Sequence, residues 1–359
     1  MSIFPQPATR RGPAAYDGRM SGAGLPQIGI RLSGALAPRR AIELARAAES
    51  AGLASLWFAE NPFHRGVMGT AGACAAATQR LRIGIGVVNP YSRHPTLIAM
   101  EFAALDELAE GRAMLGIGSG IAAATQRMGV ADGRPVTAVR EAIAIVRAML
   151  AGDSVTYRGR VFAVDGVRLA SRPWRPDPPI YMAAAGERAL RACGEVADGL
   201  IISNLTPPRS TERLAAAVGD AARTAGRAMP RIVQYVPCAV GPDGDAARAA
   251  AKVAIGGMLT SFWSAGDDWP PAKEAIVNDS GVPRREFSDA LARLRRGDDV
   301  ATVLDARFIA AFAIAGTPAE CLRQAARYRA AGVDELALTF PSAHPEADIA
   351  CLAGALGVA

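Results

Sequence analysis

Three short stretches hold the residue types that do chemistry. Glu60-Asn61-Pro62-Phe63-His64 brings a carboxylate, an amide and an imidazole close together in the chain. A glutamate whose pKa is raised by burial is a general base, and a histidine near its ordinary pKa passes protons at neutral pH. Equally, Glu60 is an exposed ion-pair partner and His64 a solvated loop side chain; residue type leaves both readings open. Asn61 can hold a carbonyl but cannot move a proton. Asn89-Pro90-Tyr91-Ser92-Arg93-His94 is a second polar run. Asn89 there is either a ligand-binding amide or a turn former before Pro90. Arg93 and His94 face a substrate or a cofactor tail, or pair with an acid elsewhere. In the third stretch, Ala184-Ala185-Gly186-Glu187-Arg188 opens a helix. Backbone N–H groups and the helix dipole favour a phosphate at such a place, although a helix-opening glycine is also commonplace.

The elements that must position these residues are legible. Arg82–Val88 is short and β-branched, which predicts a buried strand. Pro95 suits a first helical position, where its missing N–H costs nothing. Leu97, Ile98, Phe102 and Leu105 follow at helical spacing, and Gly111 stops the helix. Ala113–Ile117 reads as the next strand, closed by Gly116, Gly118 and Gly120. Strand, polar loop, helix, strand and glycine turn form one parallel βαβ unit, whose ligands bind at the strand C-termini.

Further strands are predicted at Pro26–Leu32, Leu53–Ala59, Pro179–Ala184, Gly199–Ser203, Arg231–Val240 and Asp334–Phe340. Helices begin at Pro38, Met68, Thr137, Gly186, near 209 and at Pro345. Thr317-Pro318-Ala319-Glu320 is a capping box for another. Residues 121–134 read as irregular, and Val155–Leu169 as a hairpin turning at Asp165-Gly166. Eight strands alternating with helices predict an α/β fold, a (β/α)8 TIM barrel with insertions; a doubly wound open sheet is the alternative. Residues 1–24, rich in Pro, Gly, Arg and Ser, are expected to be a flexible arm. Residues 25–359 form a single barrel domain with a helical insertion at about 257–312, bearing Phe262, Trp263, Trp269 and Phe312.

The chain has 359 residues, half of them hydrophobic, and a net charge of +6 carried almost wholly by scattered arginines. Arginine suits carboxylate or phosphate recognition, which points to an acidic small molecule. No basic stripe interleaved with aromatics suggests nucleic acid. Five cysteines without a CxxC pattern fit reduced core thiols in a cytoplasmic protein. Three histidines without ligand spacing argue against a metal, and no apolar run is long enough to span a membrane.

Gly86-Val87-Val88-Asn89-Pro90-Tyr91-Ser92-Arg93-His94-Pro95, Leu105-Asp106-Glu107-Leu108, Gly111-Arg112 and Leu115-Gly116-Ile117-Gly118-Ser119-Gly120 resemble the bacterial luciferase-like superfamily. Its branch of F420-dependent methylenetetrahydromethanopterin reductases is the nearest in pattern. The resemblance spans about residues 26–240. It resumes at 315–341 with Ala315-Gly316-Thr317-Pro318 and Ala331-Gly332-Val333-Asp334-Glu335-Leu336. It implies a TIM-type barrel binding the deazaflavin F420, or alternatively FMN, at the strand C-termini. It also implies a non-prolyl cis peptide at Gly86–Val87 against the cofactor ring, where the bare residues allow an ordinary buried strand glycine. Asn89 would meet the pyrimidine edge, Ser119 would be a further cofactor-binding residue, and Ala184, Ala185, Gly186, Glu187 and Arg188 would hold the phosphate. Relatives keep an acid at the position of Glu60 and often a histidine at the next, where this chain has Asn61. In some F420 relatives an acid follows the glycine turn; here it is Ile121.

The activity implied is hydride transfer by a flavin-type oxidoreductase acting on a small molecule, and the family expectation is a homodimer. The alternatives are an FMN-dependent monooxygenase fed reduced FMN by a separate reductase, a flavin-binding barrel without turnover, and a barrel enzyme acting on a phosphorylated metabolite without a redox cofactor.

Overall fold

A computed structural model describes residues 24–130, 133–263 and 269–357. The expected N-terminal arm, apart from Gly24, and residues 264–268 of the expected insertion lie outside the described residues.

The strands are β1 (Gln27–Ser33), β2 (Ser55–Ala59), β3 (Arg82–Val88), β4 (Ala113–Ile117), β5 (Val155–Arg158), β6 (Ala163–Val167), β7 (Ile180–Ala183), β8 (Gly199–Ile202), β9 (Arg231–Val240), β10 (Ile314–Gly316) and β11 (Glu335–Thr339). The helices are α1 (Pro38–Ser50), α2 (Val67–Ala76), α3 (Pro95–Leu108), α4 (Ala122–Arg127), α5 (Pro135–Ala151), α6 (Glu187–Val196), α7 (Pro208–Thr224), α8 (Gly244–Phe262), α9 (Pro271–Asp279), α10 (Arg284–Arg296), α11 (Val300–Val303), α12 (Ala306–Phe312), α13 (Pro318–Ala330) and α14 (Pro345–Leu356).

Eight strands close a parallel barrel in the order β1-β2-β3-β4-β7-β8-β9-β11 and back to β1. Closure leaves no sheet edge among these eight and brings all their C-termini to one end. Strand residues alternate between the barrel interior and the helix layer. Ile28 and Ile30, Leu56 and Phe58, and Ile83 and Ile85 face the helices in the main apolar core. The interior set is different. Trp57, Met114, Tyr181, Ile201, Val233, Tyr235 and Ala337 form a separate buried cluster, capped by Val87 and Ala183. Glycine makes room for it: a Cβ on Gly84 would collide with the Trp57 indole.

Below that aromatic layer the barrel is closed by charge. Glu335, fully buried at the start of β11, accepts from Arg82 at 2.7 Å, from Arg231 at 3.0 Å, from Trp57 Nε1 at 2.7 Å and from Ser55 Oγ. Burial alone would raise its pKa, but the two guanidinium groups and the two donors overcome that and hold it at about 2. Two other segments of the motif pattern are also structural pins. Asp106 receives a bidentate pair from Arg175, and Arg112 donates to the carbonyls of Ala75, Thr78 and Leu81.

Two local expectations change. The β5–β6 hairpin turns at residues 159–162, not at Asp165-Gly166, which form a bulge inside β6. Gly166 takes a positive φ of 60°, and Thr156 Oγ1 accepts from its N–H, the conformation a glycine bulge requires. The true turn is fixed from outside: Glu141 on α5 accepts from the N–H groups of Arg160, Val161 and Phe162. Residues 121–134, expected to be irregular, contain α4. Helices run from Gly244, and α8 to α12 pack around their own core of Trp263, Trp269, Phe287, Phe308 and Phe312. Among the described residues, no helix is long and apolar enough to cross a membrane.

Candidate active site

The strand C-termini open on a cavity of about 510 Å³. A larger recess, about 660 Å³, lies between the end of α5 and residues 168–176; it is lined by no C-terminal end of a barrel strand and holds none of the expected residues. The smaller cavity is therefore the site.

Its floor comes from β3, the turn after β4, β7, β8 and β9. The Gly86–Val87 peptide is cis, as the resemblance implies. The Gly86 carbonyl accepts from Tyr235 Oη at 3.0 Å, which ties β3 to β9 across the barrel. Val87 lies against the glycines of β4 and its turn: a Cβ on Gly118 would stand 2.7 Å from Val87 Cγ2 and 3.2 Å from the Ala183 methyl. Glycine at 118 thus keeps the floor open. Arg31 sits beside Tyr235, its guanidinium carbon 5.1 Å from the ring centre, and Nη1 donates weakly to Thr339 Oγ1 at 3.5 Å. Burial lowers its pKa from an ordinary value so high that it stays charged. Burial likewise pushes the Tyr235 phenol well up, leaving it a neutral donor.

The wall holds the expected residues in unequal roles. Glu60 is bound by Arg93, whose Nη1 donates to both carboxylate oxygens at 2.7 Å while Nε pairs with Glu101 at 2.8 Å. Burial works against the Arg93 charge, but these two carboxylates outweigh it and raise its pKa. Glu60 and Arg93 both line the cavity, yet each spends its charge on the other. Asn61 lines it too, and its Oδ1 is buried with no hydrogen-bond partner. His64 stands exposed on the rim. Asn89 Oδ1 accepts from the N–H groups of Tyr91 and Ser92, the turn-forming role, while its Nδ2 lies against Gly120. The carbonyl is used locally and the amide NH2 remains for a ligand. Ser119 lines the cavity between Gly118 and Gly120.

Two expected groups stand apart. His94 caps α3: Nδ1 accepts from Thr96 N–H and pairs with Thr96 Oγ1 at 2.8 Å, with the ring edge-on to Phe162. Burial lowers its pKa, which favours the neutral form that capping needs. It is not among the cavity-lining residues. The lining also stops at Ala183; Ala184, Ala185, Gly186, Glu187 and Arg188 continue beyond it. There α6 begins without a side-chain cap, and the Gly186 surroundings are open.

Sequence reasoning missed Arg31, Asn204 and Tyr235. Positions 27, 29 and 31, and 231, 233 and 235, alternate toward the interior, so period-two counting from the charged base would have found Arg31 and Tyr235. Asn204 carried no signal; its place follows from the turn after β8. Arg31 Nε, Asn61 Oδ1 and Asn204 Oδ1 are all buried polar atoms without partners, all on residues lining this cavity. Such orphans are costly in a protein interior unless something else satisfies them.

Comparison with known proteins agrees with this geometry. The family model described as luciferase-like monooxygenase matches residues 20–335. The chain is 31% identical to the 5,10-methylenetetrahydromethanopterin reductase of Methanolobus tindarius, over 77% of this chain and 82% of that protein. It is 34% identical to an F420-dependent glucose-6-phosphate dehydrogenase of Beutenbergia cavernae, over 67% and 76%. Among solved structures, the coenzyme F420 dependent tetrahydromethanopterin reductase from Methanopyrus kandleri superposes with a TM-score of 0.80 at 25% identity, covering 92% of this chain and 97% of that one.

Proposed function

Because the chain belongs to the luciferase-like monooxygenase family, we propose that it is an F420-dependent oxidoreductase transferring hydride to or from a small molecule at the mouth of this cavity. The observation that carries the reading is the set of three orphaned polar atoms around an apolar floor. One guanidinium donor and two amide carbonyls suit a planar ring that bears both carbonyl and N–H groups. The open N-terminus of α6, just beyond Ala183, suits the ring's anionic tail.

The residues present fit F420 in this way. Val87 and Ala183 would back the ring, Asn89 Nδ2 and Asn61 would meet its polar edge, Ser119 would be a further contact, and the α6 N-terminus would receive the tail. When bound, the deazaflavin supplies a carbon that accepts and releases hydride; the protein supplies binding, orientation and exclusion of water. Glu60, held by Arg93, fixes the loop after β2 rather than acting as a base. His64, exposed on the rim, is the side chain positioned to exchange a proton with solvent. We also propose a cytoplasmic homodimer, in keeping with four buried, unpaired thiols and the family expectation. Light scattering of the purified protein tests the dimer.

The decisive experiment is a fluorescence titration of purified protein with F420 and with oxidised and reduced FMN. Saturable binding of F420 in preference to both forms of FMN is expected. Preference for reduced FMN would move the reading to a monooxygenase fed by a separate reductase. Binding of neither by folded protein refutes it.

A further inference from the structure

We infer that the substrate of this site is a neutral, largely apolar molecule rather than a phosphorylated or otherwise anionic one; the inference rests on the proposed function above. Nine large hydrophobic side chains are strongly exposed among the described residues, and three of them, Phe63 at 61%, Ile121 at 48% and Phe262 at 45%, line this cavity. Single exposed apolar residues need no explanation, but convergence on one concave mouth marks a binding surface. The three come from separate parts of the chain: the loop after β2, the turn after β4 and the last residue of α8. Only the tertiary fold brings them together. Phe63 also holds a positive φ of 62°, a conformation that a bulky residue rarely adopts. Its ring is exposed on the rim.

Most of the described cations near the mouth are engaged. Arg93 is shared by Glu60 and Glu101. Arg65 donates to the carbonyls of Gly34 and Ala35. Arg127 lies over the Phe63 ring, 4.5 Å from its centre, and Lys273 donates to the Phe262 carbonyl. A phosphate entering here would be dehydrated against two aromatic rings and an isoleucine, at a rim where the Arg127 guanidinium lies over the Phe63 ring, while the orphaned Arg31 Nε falls to the cofactor's ring in the proposed function; that dehydration is unfavourable. A neutral apolar molecule meets no such penalty and covers the exposed rings. The open end of α6, where an anion is well received, lies past Ala183 and falls to the cofactor's tail in the proposed function.

The test uses a neutral naphthyl ketone, 6-propionyl-2-(dimethylamino)naphthalene, whose emission shifts to the blue in apolar surroundings. It is titrated into the full-length protein before any F420 is added, with glucose 6-phosphate as the anionic competitor. Saturable binding is expected, undisturbed by glucose 6-phosphate and weakened about tenfold or more by the double variant Phe63→Ser, Ile121→Ser. Circular dichroism establishes that the variant is folded, and Phe262→Ser serves as an independent second variant from the far side of the mouth. Displacement of the ketone by glucose 6-phosphate, or unchanged affinity in both folded variants, overturns the inference. The F420 titration of the wild-type protein is a separate reading. Its failure removes the proposed function, whereas F420 binding without ketone binding removes this inference alone.

Discussion

Replacing Glu335 by glutamine removes the negative charge that Arg82 and Arg231 share at the base of the barrel. Glu335 is wholly buried, while the two arginine side chains keep 15% and 25% of their exposure. Taking one partner from a fully buried ion pair costs about 3–5 kcal/mol. Because water still reaches the arginines, the expected loss is about 3 kcal/mol at neutral pH. Over the unfolding entropy of a 359-residue chain, that lowers Tm by about 4 °C. The pH dependence makes the prediction specific. The folded-state pKa of Glu335, about 2, lies below its ordinary value. Its contribution to stability is therefore complete above that ordinary value and is lost as pH falls toward 2. By about pH 3.5 the gap between wild type and Glu335→Gln should have narrowed by about 1 kcal/mol. Urea denaturation at a series of pH values, followed by tryptophan emission, measures it, since Trp57 itself donates to Glu335. A gap that stays constant or widens in acid would refute the argument that this carboxylate is held ionised by the two arginines.

Four further outcomes are expected. Arg31→Met, which keeps the length and removes the orphaned donor, should weaken F420 binding about tenfold or more, by fluorescence titration, with little change in Tm. Gly118→Val should abolish F420 binding, because even a Cβ there meets Val87 at 2.7 Å; intact far-UV circular dichroism would separate a blocked floor from an unfolded one. Glu60→Gln should lower stability by about 1–2 kcal/mol in urea melts by loosening Arg93 from the wall, without moving the pH profile of turnover as loss of a base would. His94→Ala should cost about 1 kcal/mol in the same melts through the lost cap. Since the folded form favours neutral His94, the wild-type advantage should fade as pH drops below the ordinary histidine value, and an advantage that grows in acid would contradict the capping role.

Much of the fold was legible because it rests on local rules. β3 and β4 begin and end where a short β-branched run and its glycine turn place them, and Pro95 opens α3 as its missing N–H allows. The hairpin turn was misplaced for an equally clear reason. Asp-Gly is good turn chemistry, but Glu141, distant in sequence, captures the N–H groups of residues 160–162 and sets the turn there. For His94, the loop's position was readable and the direction of the side chain was not; the N-cap geometry of α3 and the nearby Phe162 decided it.

The sequence by itself determined the periodicities, the glycine positions and hence the barrel, because spacing along a strand or helix dictates which side chains share a face. It also carried, through the order of its motifs, the family and the placing of the cis peptide at Gly86–Val87. Only the tertiary structure decided which polar residues cooperate. Glu60 is engaged because Arg93, thirty-three residues away, turns toward it. Arg31, Asn61 and Asn204 converge because barrel closure brings β1, β2 and β8 to one rim, and Phe262 joins Phe63 and Ile121 because α8 ends above them. Hydrogen bonds and ion pairs depend on distances of a few ångströms between chain segments far apart in sequence, and those distances exist only once the barrel has closed.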